Sequence, residues 1–427
     1  MAACVSPGRS GYCQSVEWET TLPWQEAVEW FGLLCLNGED VWVSDTFEIL
    51  AVNPEGIRWR TAGCPRAQAV ALPDLSVVLA TDEGHQKSIR SEILAPTAAR
   101  DLRSEVWPRH LSGHVSPSGP LKVTLIGPDH TTRWERTISE RAFPRLVVWD
   151  ATLLLNVDPA RGDLNRSYYV FSPTDGRTLA MSQFPKGQLA WPVSGGSLLV
   201  YPSPPHLIER VYLVPLSLGA LGAPVSPLGS GWGVVRQYER GTVTHPTRVQ
   251  WLANEEGLFY LDTGVPQCQA RLVASLAEGT RVLGAPGLAV WVVGEGALRQ
   301  WDWESGDPEW SLAWDSEDLF YLVGADCDRA YFFNWETGTV TAVNTKAGIT
   351  AWTREVAGPH PVSFRLGLSE GRLLLVFRDR GLVLDASDGA LCTDITPEAE
   401  IGDAIWGNSR LYLLLTDGRL QCYRLAA

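Results

Sequence analysis

The feature that most constrains the fold is a repeated unit, which is clearest between Asp318 and Val356. This unit reads as four short β-rich runs, "DLFYLVGADC", "RAYFFNWETG", "TVTAVNTKAG" and "ITAWTREV", separated by turns that contain Gly, Asp or Asn. Runs of this length, joined by such short turns, pair with their neighbours in order. The unit is therefore predicted to be a four-stranded antiparallel meander.

The last hairpin of the unit has a defined spacing. Ala342, Asn344, Gly348 and Trp352 fall at relative positions 0, 2, 6 and 10. The spacing recurs at Gln300, Asp302, Gly306 and Trp310, at Val383, Asp385 and Gly389 with Thr393 in the Trp position, at Val170, Ser172 and Gly176 with Ala180 there, and in a shorter form at Ala51, Asn53, Gly56 and Trp59. A recurring period of this kind indicates a structural repeat.

Each residue type in the spacing has a physical reason. The Asp, Asn or Ser accepts hydrogen bonds from backbone amides of its own turn, and the Gly adopts the positive φ that closes the hairpin. The Trp then falls on the outer strand, where its indole is expected to cover the neighbouring unit. Stacked four-stranded units joined in this way are the blades of a β-propeller.

The whole chain divides into units on this template. We predict blades at residues 28–62, 66–138, 143–184, 187–230, 232–276, 279–314, 317–356 and 360–396, with a partial unit at 398–427. This count is nine, and eight is the alternative because the units between 187 and 276 are degenerate. The partial unit lacks a fourth strand, and "SVEWETTL" at 15–22, with Trp18, has the outer-strand pattern of "RWERTI", with Trp134. The N-terminal strand is therefore expected to complete the last blade and close the ring.

The spacing Ala-x-Asp-x-x-x-Gly-x-x-x-Trp resembles the tryptophan-docking repeat of the PQQ-like β-propellers. This superfamily, which is related in fold to WD40-like propellers, includes quinoprotein dehydrogenases and the lipoprotein subunit of the outer-membrane barrel-assembly machinery. The resemblance implies an all-β propeller and one domain spanning residues 1–427. A quinoprotein would also need PQQ under a disulfide of adjacent cysteines, and calcium ligands; the chain has no adjacent cysteines. We therefore expect no cofactor.

Composition agrees with an all-β chain and excludes one class of partner. The 427 residues include 19 Trp, 40 Gly and 28 Pro but only 2 Met. The formal net charge of −14 does not supply the basic footprint that nucleic-acid binding requires. No window reaches about 18 uninterrupted apolar residues, so no membrane span is expected.

The largest departure from the repeat is an insertion in the second unit, at 83–119. Functional residues on a repeat scaffold are expected where the period breaks, so this insertion is the candidate binding element. Its candidate contact residues are Arg100, Arg103, Trp107, His110 and His114. The two histidines are four apart, but no third ligand has a matching spacing, and no metal site is predicted.

The function predicted from these features is a non-enzymatic scaffold that binds another protein or a peptide. We expect a monomeric, soluble bacterial protein. The cytoplasm is the expected location, since most of the eight cysteines lie in apolar, strand-like contexts typical of buried free thiols and the N-terminus lacks an apolar signal region. One alternative is an envelope lipoprotein of the barrel-assembly type, if "MAAC" is the end of a truncated lipobox. Another is an enzyme with its site in the central channel, for which Asp302, Glu304, Asp385 and Asp388 are available carboxylates.

Overall fold

The structure is a computed structural model that describes about two thirds of the chain. The described residues are 16–23, 31–45, 48–62, 67–82, 119–139, 142–149, 152–159, 165–185, 188–193, 197–202, 212–217, 220–221, 233–234, 242–243, 249–253, 257–262, 270–275, 280–284, 290–301, 305, 307–314, 320–358, 361 and 364–425. None of these segments forms a helix with the length and apolarity needed to cross a membrane.

The described strands form nine sheets that follow one another along the chain, and each is built around four antiparallel strands. Sheet 1 contains β2 (Phe31–Asn37), β3 (Asp40–Asp45), β4 (Glu48–Asn53) and β5 (Gly56–Ala62); sheet 2 contains β6 (Gln68–Ala71), β7 (Val77–Asp82), β8 (Leu121–Ile126) and β9 (Thr132–Ile138); sheet 3 contains β10 (Ala142–Trp149), β11 (Thr152–Pro159), β12 (Asn165–Phe171) and β13 (Thr178–Pro185). Sheet 4 contains β14 (Gln188–Val193), β15 (Ser197–Pro202), β16 (Tyr212–Ser217) and β17 (Ala220–Leu221); sheet 5 contains β18 (Gly233–Val234), β20 (Val249–Ala253), β21 (Leu258–Asp262) and β22 (Ala270–Ala274); sheet 6 contains β23 (Arg281–Gly284), β24 (Val290–Gly294), β25 (Ala297–Trp301) and β26 (Pro308–Ala313). Sheet 7 contains β27 (Phe320–Ala325), β28 (Arg329–Asn334), β29 (Thr339–Asn344) and β30 (Ile349–Glu355); sheet 8 contains β31 (Phe364–Ser369), β32 (Arg372–Phe377), β33 (Gly381–Asp385) and β34 (Leu391–Ile395); sheet 9 contains β35 (Ile401–Gly407), β36 (Arg410–Leu415), β37 (Arg419–Arg424) and β1 (Trp18–Thr21).

The last sheet takes its fourth strand from the beginning of the described chain. Trp18 lies opposite Cys422 and Thr21 lies opposite Arg419, so β1 runs antiparallel to β37. The amide of Glu17 continues this ladder by donating to the carbonyl of Cys422 at 2.8 Å. Residues 15–22, predicted to add to this sheet, therefore contain the strand that does so.

One strand departs from the sequence of meanders. β19 (Thr242–Val243), which lies between β18 and β20 along the chain, pairs in parallel with β10 instead of joining sheet 5. Sheet 3 consequently has five strands, whereas the repeat predicted four in every unit. The physical reason is that the first strand of a meander has one free edge, and a short extended segment satisfies its backbone groups.

The core lies between the sheets, because the second strand of a sheet is buried on both faces. In β32, Leu373, Leu375 and Phe377 pack against sheet 7, while Leu374 and Val376 pack against sheet 9. All five are at most 3% exposed. Side chains alternate between the two faces of a strand, so the nearly continuous apolar run "LLLVF" indicates two covered faces. Each such side chain contributes about 2 kcal/mol of burial free energy.

The same arrangement recurs between other neighbouring sheets. Apolar clusters join sheets 1 and 2, 2 and 3, 6 and 7, 7 and 8, 8 and 9, and 9 and 1. The predicted all-β class, built from four-stranded antiparallel sheets, is confirmed. The stacking also places the turns of neighbouring sheets side by side, which positions the sites described next.

Candidate functional site

The turns of each meander lie at two ends of the sheet, which we name for what they carry. The capped end carries the turn between the first and second strands and the turn between the third and fourth. The insertion end carries the turn between the second and third strands, and in sheet 2 this connection contains residues 83–120.

At the capped end, an indole from one sheet rests on the last hairpin of the next sheet. Trp352 of sheet 7 donates from Nε1 to the carbonyl of Ala386 in sheet 8 at 3.2 Å. Gly389, in the same turn, has φ of 73°, and a Cβ at this position would lie 2.7 Å from Cε3 of Trp352. The turn therefore needs glycine twice, for its backbone conformation and for the space that the indole occupies.

We call such a contact, an indole of one sheet on the last hairpin of the next, a joint. Two further joints repeat this geometry. Trp134 donates to the carbonyl of Pro173 at 2.9 Å, and a Cβ on Gly176 would lie 2.6 Å from its indole. Trp310 donates to the carbonyl of Thr345 at 2.7 Å, and the matching distance at Gly348 is 2.5 Å. The indoles thus lie on the glycine turn of the following unit.

The polar residues of the spacing hold the turns. Asn344 Oδ1 accepts the amides of Lys346 and Ala347 at 3.0 and 2.8 Å. Asp385 Oδ1 accepts the hydroxyl of Ser387 at 2.6 Å and its amide at 2.8 Å. These bonds keep the pKa of Asp385 below its usual range, because they favour the ionised carboxylate. The side chains act as acceptors within their own turns.

Two of these three joints contain an arginine that sequence reasoning missed. Arg354, two residues after Trp352, donates from Nη1 to the carbonyl of Gly389 at 2.7 Å. Arg136, two residues after Trp134, donates from Nε to the carbonyl of Gly176 at 3.0 Å. Residues two apart on a strand lie on the same face, so the Trp-x-Arg spacing in "RWERTI" and "AWTREV" was the available signal.

The other predicted repeat residues lie in different surroundings. The ring of Trp18 lies 6.1 Å from that of Tyr412, and the ring of Trp59 lies 5.1 Å from that of Trp42. Gly56 has φ of 112°, and a Cβ there would meet no atom within 4 Å. Each of these two tryptophans therefore pairs with an aromatic residue in the second strand of its own sheet. Asp302 and Gly306 lie outside the described residues.

Between sheets 1 and 2 a histidine holds the left-handed turn position. His130 has φ of 62°, where the corresponding turns of sheets 3, 7 and 8 have glycine. Its Nε2 lies 2.9 Å from Oδ2 of Asp40 in sheet 1, and its ring lies 6.4 Å from that of Trp42. A polar contact thus occupies this joint, which the repeat pattern did not predict.

The first strands of three sheets meet at a buried carboxylate that the sequence pattern also missed. Asp403 Oδ1 lies 3.0 Å from Nη2 of Arg365 in sheet 8, and its Oδ2 accepts the amide of Leu33 in sheet 1 at 2.9 Å. The Asp403 side chain is 8% exposed and that of Arg365 is 16% exposed. The register of β35 shifts at Asp403, and such bulges change the direction in which a side chain points. One carboxylate thereby joins sheets 8, 9 and 1.

The insertion end of sheets 8 and 9 carries ion pairs. Arg378 contacts Glu400 at 2.6 Å, and Arg419 contacts Asp417 at 2.8 Å and Glu398 at 3.3 Å. The five candidate contact residues of the insertion, Arg100, Arg103, Trp107, His110 and His114, lie outside the described residues. Within the described part of the chain, no three His, Cys, Asp or Glu side chains are grouped so that they hold a metal ion.

No protein-family model and no curated protein sequence matches the chain. Among solved structures it is similar to BamB from Moraxella catarrhalis, at 12% identity and a TM-score of 0.46 over 96% of this chain and 99% of that one. It is also similar to AztD from Citrobacter koseri, at 13% identity and a TM-score of 0.48 over 85% and 93%, and to the C-terminal WD40 domain of Sif2, at 10% identity and a TM-score of 0.48 over 97% and 100%.

The described residues provide their own evidence, since successive four-stranded antiparallel meanders stack face to face and indoles join one to the next. The chain therefore has an architecture of the β-propeller type, as its resemblance to the PQQ-like propeller repeats implied.

Proposed function

We propose that this protein is a non-enzymatic scaffold that binds another protein or a peptide through the insertion end of a closed, nine-bladed propeller. Residues 83–119 would determine which partner binds. The proposed molecule is one domain over residues 1–427 and a monomer, and eight blades remains the alternative count.

The observation that carries this proposal is the length of the connection between β7 and β8. In sheets 1, 7, 8 and 9 the corresponding connections contain only residues 46–47, 335–338, 378–380 and 416–418. In sheet 2 the connection contains residues 83–120, yet its two ends are directly paired, with Asp82 opposite Leu121. A long segment leaving a rigid, closely spaced pair of strand ends is typical of a recognition loop.

Ring closure is supported by contacts between the last sheet and the first. β1 pairs with β37, and β2 contacts β35, where Leu33 donates its amide to Asp403. Apolar side chains of sheets 9 and 1 share a cluster that includes Tyr412. A closed ring provides a rigid end surface for binding and leaves no terminal sheet face uncovered.

The chemistry of the turn carboxylates favours binding over catalysis. A general acid near neutral pH needs a raised pKa, whereas the pKa of Asp385 is lowered by its bonds to Ser387. Asp388 Oδ1 accepts the amide of Ala390 at 2.8 Å. Both carboxylates that the sequence offered within the described residues therefore serve their own turn.

The proposed location is the cytoplasm. Cys35, Cys327, Cys392 and Cys422, which are the cysteines within the described residues, carry free thiols. Burial raises the pKa of Cys35 well above its usual range, so this thiol stays protonated near neutral pH. Free thiols of this kind fit a reducing compartment.

The test is an affinity capture from native lysate with intact protein beside a variant in which residues 83–120 are replaced by Asn-Gly. A two-residue Asn-Gly turn matches the directly paired ends Asp82 and Leu121. Far-UV circular dichroism and the thermal midpoint should match between the two proteins. Partners identified by mass spectrometry with the intact protein alone would support the proposal. A partner set that does not depend on the insertion would contradict it.

A further inference from the structure

A second surface lies at the capped end, around the turn between β6 and β7. Leu75 in this turn has φ of 61° and is 50% exposed. A branched side chain with a left-handed backbone is disfavoured by contact between its Cβ and the following carbonyl. At the corresponding turns of sheets 1, 8 and 9, the left-handed residues are Gly38, Glu370, Gly371, Asn408 and Ser409, none of which carries a branched apolar side chain. Leu75 therefore combines a strained backbone with an apolar side chain in water.

The turn is held by several bonds, so Leu75 is presented rigidly. Its amide donates to the carbonyl of Leu72 at 3.0 Å, and its own carbonyl accepts Nδ2 of Asn37 in sheet 1 at 2.7 Å. Asp74 accepts the amide and the hydroxyl of Ser76 at 3.0 and 2.9 Å. Because the backbone is fixed, binding at Leu75 would lose little conformational entropy.

The surroundings of Leu75 are acidic. Its Cδ2 reaches the turn of sheet 1, 4.0 Å from where a Cβ of Gly38 would lie, and the next residue in that turn is the exposed Glu39. On the other side, the side chain of Asp74 is 57% exposed, and among the described residues its cationic partner is Arg133, at 2.9 Å. Glu39 and Asp74 flank Leu75 with more negative than positive charge, in a chain whose net charge is −14.

An isolated exposed leucine is ordinary on a protein surface. A leucine that also strains a rigid turn is different, because Gly or Asn at the same position would be more stable, and stability is commonly lost at binding sites. From the strain, the exposure and the charge together, we propose that the turn around Leu75 binds a peptide segment of another protein. This segment carries an apolar side chain flanked by Lys or Arg, with the apolar group covering Leu75 and the cations facing Glu39 and Asp74.

This surface lies at the opposite end of sheet 2 from the strand ends Asp82 and Leu121, so the proposal is independent of the proposed function. The test uses isothermal titration of the full chain with three synthetic peptides, each of four repeats: Lys-Leu-Ser, Glu-Leu-Ser and Lys-Ser-Ser. The chain with residues 83–120 replaced by Asn-Gly should bind the Lys-Leu-Ser peptide as the intact chain does.

Leu75→Asn is the diagnostic variant, because Asn tolerates a left-handed backbone. We expect it to weaken binding of the Lys-Leu-Ser peptide by about tenfold or more while the thermal midpoint stays the same or rises. The matched control is Ile349→Asn, since Ile349 is 58% exposed on β30 and lies outside this turn. The control should bind as the unaltered chain does, and the two other peptides should bind weakly.

Four results would overturn the proposal. They are no binding of the Lys-Leu-Ser peptide, equal binding of the Glu-Leu-Ser peptide, unchanged binding in Leu75→Asn, or a lower thermal midpoint in that variant, which would assign Leu75 a structural role. Light scattering adds a fifth: a dimer that Leu75→Asn converts to monomer would show that a second copy of this chain occupies the surface.

Discussion

Replacing Gly348 with alanine should measure how much one indole joint contributes to stability. A Cβ at this position would lie 2.5 Å from Cγ and 2.6 Å from Cβ of Trp310, so the indole must move. The φ of 62° adds a second cost, because alanine disfavours a left-handed backbone by about 1 kcal/mol. Both costs fall on the hairpin of β29 and β30.

The size of the first cost follows from the contacts of Trp310. Displacing the indole breaks its 2.7 Å bond to the carbonyl of Thr345, which is worth about 1 kcal/mol. Exposing about 40 Å² of its apolar surface costs about another 1 kcal/mol. Together with the backbone term, Gly348→Ala should destabilise the hairpin by about 3 kcal/mol.

A matched variant separates the two costs. Gly371 has φ of 71°, and a Cβ there would meet nothing within 4 Å. Gly371→Ala should therefore lose only the backbone term of about 1 kcal/mol. Native-state hydrogen exchange of the amides in each altered hairpin should measure both losses. The difference of about 2 kcal/mol means that the acceleration of exchange caused by Gly348→Ala should be about 30-fold larger than the acceleration caused by Gly371→Ala. Equal losses in the two variants would refute the docking argument.

Three further outcomes follow from the charged contacts. Asp403→Ala should lower the free energy of unfolding, measured in urea, by about 3 kcal/mol, because the partly buried charge of Arg365 then lacks this partner. The double variant Asp403→Ala, Arg365→Met should recover part of that loss. Glu17→Gln should cost about 1 kcal/mol at pH 7, since Arg410 and Arg424 lose their carboxylate partner. The bond from Arg410 lowers the pKa of Glu17 below 4.5, so the stability it contributes is present above that pH and is lost as the pH falls through the folded-state pKa. The difference in urea midpoint between the unaltered chain and Glu17→Gln should therefore shrink as the pH falls below 4.5, and a difference that stays as large in acid as at pH 7 would contradict this assignment.

Much of the architecture was accessible from local sequence pattern. The unit predicted at 317–356, for example, corresponds to four strands spanning Phe320–Glu355. Such predictions succeed because a meander is built from contacts between neighbouring segments, whose turn residues and apolar runs are visible in order. The short β1 was also accessible, because its Trp18 repeats the outer-strand pattern and the last unit was one strand short.

The candidate sites were less accessible. Asp403 and Leu33 are 370 positions apart, and the repeat pattern does not indicate that the Asp403 carboxylate accepts the amide of Leu33. The pairing of Thr242–Val243 with β10 has no local signal, since two extended residues satisfy any free strand edge. The sequence likewise does not reveal the strain at Leu75, because the conformation of this turn depends on a hydrogen bond that Asn37 donates and on one that Asp74 accepts.

The sequence by itself determined the repeat: four short strands to a unit, the glycine that closes the last hairpin in sheets 3, 7 and 8, and the outer-strand position of the tryptophans. These properties depend on residues within one unit, and backbone sterics and side-chain alternation act over that range. Only the tertiary structure decided which polar groups meet, placing His130 beside Asp40 and Asp403 between three sheets. Such contacts depend on the angle and distance between stacked sheets, and these result from the packing of the whole molecule rather than from any one segment.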